Sequence, residues 1–208
     1  MFSFTKRPET TIKLLDGKYR LNLAFNVVIE AFGVLDTDLS DAEKVERCFN
    51  LLVIDKLPTN DLAVKGDIVA GVFQYINERP YGNEEDDGSQ ATDEQSSAAN
   101  HADFDYEQDA GAIYASFLMY YHIDLNQMID RMHWDQFKAL FDNLGADTPI
   151  QKIRQYRSDD LSQYADDPKQ AQFVSQMQFY YHLDKEVESD GFSSNASSIF
   201  DMMMNDSK

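Results

Sequence analysis

The stretch from Phe104 to Leu144, FDYEQDAGAIYASFLMYYHIDLNQMIDRMHWDQFKALFDNL, decides the fold class of this chain. Asp105 stands where a helix N-cap belongs, and Gln108, three residues on, can close a capping box. Ala110, Ile113, Tyr114, Phe117, Leu118 and Tyr121 then recur at helical spacing and predict one buried face. A turn near His122 to Asp124 separates them from a second apolar set, Leu125, Met128, Ile129 and Met132. Trp134, Phe137, Leu140, Phe141 and Leu144 continue that set. His133 is placed to cap a fresh helix at Trp134, and Gly145 to stop it. A stripe of this kind is a packed helical core, here carrying the one Trp of the sequence.

Upstream, residues 10–24 predict a β-hairpin. TTIKLL alternates, Asp16-Gly17 is a two-residue turn signal, and Tyr19, Leu21 and Leu23 share a face. Phe25, Val28, Ile29 and Phe32 then predict a helix over about 25–34. Ser40 with Glu43 forms the next capping box, followed by Val45, Phe49, Leu52 and Val53 as a buried face that Pro58 ends. Asn60 or Asp61 starts another helix, with Ile68, Val72, Phe73 and Ile76 at helical spacing, and Arg79-Pro80 ends it. Downstream, Thr148-Pro149 opens a short helix through Ile150, Ile153 and Tyr156. Asp167-Pro168 repeats the device for a helix with Phe173, Val174, Met177, Tyr180 and Tyr181 as its apolar members.

The expected fold is mainly α (α+β): a helical domain with a small N-terminal β-hairpin. Residues 1–80 make an N-terminal hairpin and helices, 104–187 a helical core unit, and 188–208 a flexible tail. Residues 81–103 are rich in Ser, Asn, Gly, Ala and acid, and no Lys or Arg occurs between Arg79 and Arg131. They read as an acidic flexible linker or a loop inserted into one shared core.

The chain has 208 residues, 18 Lys and Arg against 37 Asp and Glu, and a net charge of −19. A surface this acidic repels phosphate, so nucleic acid is not an expected partner, and the charge suits solubility or a basic protein partner. No run is long and apolar enough for a membrane span, and residues 1–20 carry no continuous apolar stretch of the signal-peptide type. Cys48 is the single cysteine and lies in the apolar face of a predicted helix, which suits an inert buried thiol.

Catalytic patterns do not emerge. No glycine-rich phosphate loop, Gly-x-Ser-x-Gly elbow or His-Glu-x-x-His pair occurs, so no catalytic residue and no cofactor is expected. Tyr120-Tyr121-His122-Ile123-Asp124 recurs as Tyr180-Tyr181-His182-Leu183-Asp184. Two His and two Asp can converge on a metal, but His-x-Asp fixes no third or fourth ligand. Both strings more simply end helices, where a His favours the negative dipole end, and no metal is expected.

In three places the chain resembles the bacteriophage Gp-fifteen family of long-tailed phages infecting Gram-positive bacteria. These are the strand–DG–strand unit from Thr11 to Phe25, the central FDYEQDAGAIYASFLMYYHIDL with HWDQFKALFDNL, and Ile153-Arg154-Gln155-Tyr156-Arg157 followed by Asp160-Leu161-Ser162. The resemblance implies a non-enzymatic tail assembly chaperone, working in the host cytoplasm during phage assembly. Its implied partners are the tape-measure protein and the major tail protein, with self-association as a further option. Two alternatives stand beside it: a structural virion component at the head–tail or tail-tip junction, and an acidic protein-binding inhibitor of a host nucleic-acid enzyme. For partner binding the sequence offers Ile199, Phe200 and Met203, an apolar cluster behind the Ser-rich residues 193–198. The same cluster can instead fold back on its own domain.

Overall fold

The hairpin and the helices fall close to where periodicity and caps place them, and the chain is mainly α with one small antiparallel hairpin. The computed structural model describes residues 4–14, 17–58, 60–78 and 103–184. Strands β1 (Thr11–Leu14) and β2 (Gly17–Arg20) are followed by α1 (Phe25–Leu35), α2 (Asp41–Leu52) and α3 (Leu62–Ile76). Beyond residue 103 come α4 (Ala110–Tyr121), a single-turn α5 (Leu125–Met128), α6 (Trp134–Asp142), α7 (Pro149–Ser158) and α8 (Pro168–Tyr180). A 3-10 turn, Leu161–Tyr164, joins α7 to α8. No helix among the described residues is long and apolar enough to cross a membrane. The segment 81–103, except Asp103, and the tail from residue 185 lie outside the described residues.

Two compact units emerge, and they do not follow chain order. The first joins the hairpin and α1–α3 to Met128–Leu140, whereas the second joins the described residues 103–127 to Phe141 and those beyond it. The long central stretch is therefore shared between two cores.

In the first unit the reason is backbone pairing. Phe25 N donates to Met132 O at 3.0 Å, Trp134 N donates to Leu23 O at 2.7 Å, and Ala24 bridges His133. These bonds occupy the entry to α1, whose N-cap Ala24 has no side chain to offer. Asn26 completes the join: its amide donates to Asp130 Oδ1 and its oxygen accepts from Asp130 N, both at 2.9 Å. Asp130 sits in the left-handed region (φ 59°), and this clasp holds it there. Trp134 is then buried, edge-on to Phe32 at 5.5 Å and stacked on Phe137 at 5.7 Å, with its indole N–H on Ile76 O. His133 caps α6 as expected, its Nδ1 accepting from Asp135 N at 3.1 Å.

Some local expectations are corrected. In the hairpin Leu14 pairs with Gly17, so Gly17 belongs to β2 and not to the turn. Gly17 is instead a strand residue on which the Tyr19 ring lies, since a Cβ there would meet that ring within 2.7 Å. The Ser40–Glu43 capping box forms. However, α2 ends at Leu52 rather than at Pro58, because Val53 turns extended to pair with Leu21, and Asn22 N takes the Leu52 carbonyl.

In the second unit Asp105 Oδ1 accepts from the backbone N–H groups of Glu107 and Gln108, yet α4 begins only at Ala110. The Gln108 side chain does not close the expected box. It reaches the C-terminal end of α8, donating to His182 O and accepting from Asp184 N. The buried face of α4 is narrower than its apolar spacing implies. Ile113, Ser116 and Phe117 are buried, while Leu118 is exposed, because α4 packs one side on α7. Ser116 makes that approach close: its hydroxyl donates to Ala112 O at 2.6 Å and accepts from Ile150 N at 3.0 Å. One free N–H at the start of α7 is satisfied in this way. In α8 the buried member is Val174, whereas Phe173 and Tyr180 are exposed.

Candidate protein-interaction surface

Two polar clusters among the described residues hold backbone and neighbouring side chains in place. In the first unit the Tyr75 hydroxyl donates to Asp135 Oδ2 at 2.6 Å, and burial followed by that carboxylate pushes the phenol well above its usual range. His133 stands beside them with both ring nitrogens engaged, Nδ1 by Asp135 N and Nε2 at 2.9 Å from Glu9 O. Acceptance at Nδ1 leaves the ring proton on Nε2, directed at the Glu9 carbonyl. A His, an Asp and a Tyr thus meet, with the His ring anchored to backbone on both sides. Cys48 is fully buried with Sγ 3.7 Å from Ala31 O, and burial raises its thiol pKa to about 11.

The two His-x-Asp strings both end helices. His122 is the left-handed C-cap of α4 (φ 56°), and His182 Nδ1 lies 2.8 Å from Phe179 O just beyond α8. Asp124 caps the backbone of Asn126, and Asp184 N is held by Gln108. Among the described residues no group of three or more His, Cys, Asp or Glu is placed to hold a metal ion.

The Ile153-Arg154-Gln155-Tyr156-Arg157 string provides the polar centre of the second unit. Arg157 donates twice to Asp109, at 2.6 and 2.9 Å, and also to Asp103 O and Tyr181 O. Arg154 pairs with Asp103 at 2.8 Å, its guanidinium lying over the rings of Phe104 (5.3 Å) and Phe141 (5.9 Å). Two arginines on one helix therefore tie residues 103–109 and the end of α8 to α7. Sequence reasoning singled out this string but not its buried partner Asp109, which reads in sequence as one acid among many.

Several large apolar side chains are exposed beside these clusters. Phe179 is 81% exposed and Tyr180 73% at the end of α8. Leu118, Met119 and Tyr120 are also exposed at the end of α4. Large exposed apolar side chains mark contact surfaces where they form a contiguous patch. The predicted partner-binding residues Ile199, Phe200 and Met203 lie outside the described residues.

A family model described as Bacteriophage Gp15 protein matches residues 9–183. Neither the curated proteins nor the solved structures contain a match to the chain.

Proposed function

This chain belongs to the bacteriophage Gp15 family, and from that premise we propose that it is a non-enzymatic assembly protein of the phage tail. In this reading it acts in the host cytoplasm as a chaperone, holding the tape-measure protein soluble while tail subunits polymerise around it. The observation that carries the reading is the combination of exposed aromatic side chains, among them Phe179 and Tyr180, with a net charge of −19. Apolar contact area gives grip on an apolar helix, and like charge keeps the loaded chaperone from associating with itself. The polar clusters described above add support, since their groups are paired with one another or with backbone.

Co-expression tests this reading. With this protein present the tape measure should stay in the soluble fraction and co-purify. Equal aggregation of the tape measure with and without it rejects the chaperone role. Recovery of the protein as a stoichiometric part of purified virions would replace that role by a structural one.

A further inference from the structure

The string that ends α4 returns at the end of α8, and the two copies are built alike. In each, the first Tyr is exposed (Tyr120 and Tyr180) and meets the second edge-on with ring centroids 4.8 Å apart. In each, the second Tyr is fixed. Tyr121 donates its hydroxyl to Asn143 O at 2.9 Å, while Tyr181 lies parallel to Tyr156 and gives its carbonyl to Arg157. In each, a large apolar side chain precedes the exposed Tyr and stands in water: Met119 at 52% and Phe179 at 81%. An exposed ring braced by a fixed one loses little freedom on binding, which is what an anchor point requires.

Acidic residues neighbour both strings along the chain. Asp124 and Asp184 close the two strings. Tyr120 lies over Gly145, between Asp142 and Asp147 in the chain, and Gln178 beside Phe179 holds the Asp159 carbonyl. Helix α4 carries no charged residue, and α8 has Lys169 alone, at its opposite end. Arg157, which reaches the Tyr181 carbonyl, is buried and paired with Asp109. The two ends are also set apart. Gln108, just before α4, binds the end of α8, while Tyr120 is at the far end of α4's 12 residues. That length is about 18 Å.

We infer that the ends of α4 and α8 are two anchor points for one basic amphipathic α-helix of a partner protein. Apolar side chains of that helix cover Met119 with Tyr120 and Phe179 with Tyr180, and its Lys and Arg meet the open Tyr faces and the acidic surface of a chain of net charge −19. A second copy of this chain is a poor occupant, because it would bring the same carboxylates against one another. The inference rests on the proposed assembly role in taking this surface to belong to a partner.

The test uses the full chain and a fluorescent designed helix of about 20 residues, Leu on one face and Lys on the other, long enough to span both ends. Two double variants, Met119→Ser with Tyr120→Ser and Phe179→Ser with Tyr180→Ser, should each weaken binding about tenfold. Ile54→Ser, an exposed apolar site in the first unit, should leave binding unchanged. All three variants should melt as the parent does, and the same peptide with Glu for Lys should not bind. Equal binding by parent and both double variants overturns the inference, as does equal binding of the Lys and Glu peptides. A dimer in sedimentation that either double variant dissociates also overturns it, by making the occupant a second copy. The probe is independent of the tape measure, so failure of the co-expression test with peptide binding intact rejects the chaperone reading and leaves the anchor points standing.

Discussion

Arg157 and Asp109 form a two-bond ion pair with side-chain exposures of 9% and 5%, so neither charge has water to fall back on. The same guanidinium closes on the carbonyls of Asp103 and Tyr181. One side chain therefore joins the entry of α4, helix α7 and the end of α8. Removing it with Arg157→Met should cost about 3–5 kcal/mol, because a buried carboxylate is left uncompensated. Arg157→Lys should recover only part of this, since an ammonium cannot reproduce the fork. Urea unfolding of the two variants gives both numbers, and equal stability of Arg157→Lys and parent would contradict the bidentate account.

Lys65 offers the instructive contrast. Its side chain is as buried as that of Arg157, at 8%, and its ammonium bonds Glu46 at 2.6 and 2.8 Å and Asn60 at 3.0 Å. Its partner Glu46, however, is 41% exposed. Loss of the cation leaves a carboxylate that rehydrates, and a Met of similar length keeps the contact with Phe49. Lys65→Met should change stability by no more than about 1 kcal/mol, measured in the same unfolding experiment. A loss matching that of Arg157→Met would show that partner exposure does not decide the cost.

Trp134→Ala should lower stability by about 3–5 kcal/mol, as expected for a buried aromatic. Trp134→Phe should cost far less than truncation. The indole N–H donates to Ile76 O at 3.1 Å, but Lys138 Nζ also reaches that carbonyl at 3.3 Å, so the acceptor is not orphaned. Thermal melts followed by circular dichroism check both. A Phe variant as unstable as the Ala variant would mean that the hydrogen bond, and not the packing, dominates.

Cys48 gives a signature in alkaline solution. Burial holds its pKa at about 11 in the folded chain, against an ordinary value near 9. Between those values the folded state keeps a proton that the unfolded state has lost, so stability falls as pH rises. The contribution is fully present below pH 9 and is lost as pH rises through 11, at about 1.4 kcal/mol per pH unit at most. Tyr75 adds a slope of the same sign, so the comparison is with Cys48→Ala, which keeps the tyrosines. Its stability should decline less steeply across this window. Identical slopes would show that the thiol is not desolvated.

Much of the fold is legible in the residue order alone. Ser40 with Glu43, Asp61 and Asp167-Pro168 mark helix starts correctly, because a cap is a bond between neighbours in sequence. Thr148-Pro149 marks one through the proline at its first position, without a side-chain cap bond. His133 marks the break before Trp134 through a cap bond. The resemblance carried by the central block and the Arg154–Arg157 string agrees with the family match over residues 9–183. Asn26, Ser116 and Asp109 carry no such signal. The partner of each lies far along the chain: Asp130, Ile150 and Arg157 respectively.

The sequence by itself determined the fold class, the order of the elements and most of their starts, through local bonds and the 3.6-residue period. It also showed the Tyr-Tyr-His repeat and that each copy ends a helix. Tertiary structure decided which core each half of the central stretch joins. Residues 128–140 follow the backbone bonds at Leu23 and Phe25 into the first unit. It also decided which apolar side chains stay in water. Leu118 and Tyr180 carry the same periodic signal as Phe117 and Val174, but a helix buries only the side against which a neighbour packs, and periodicity does not say how wide that neighbour is.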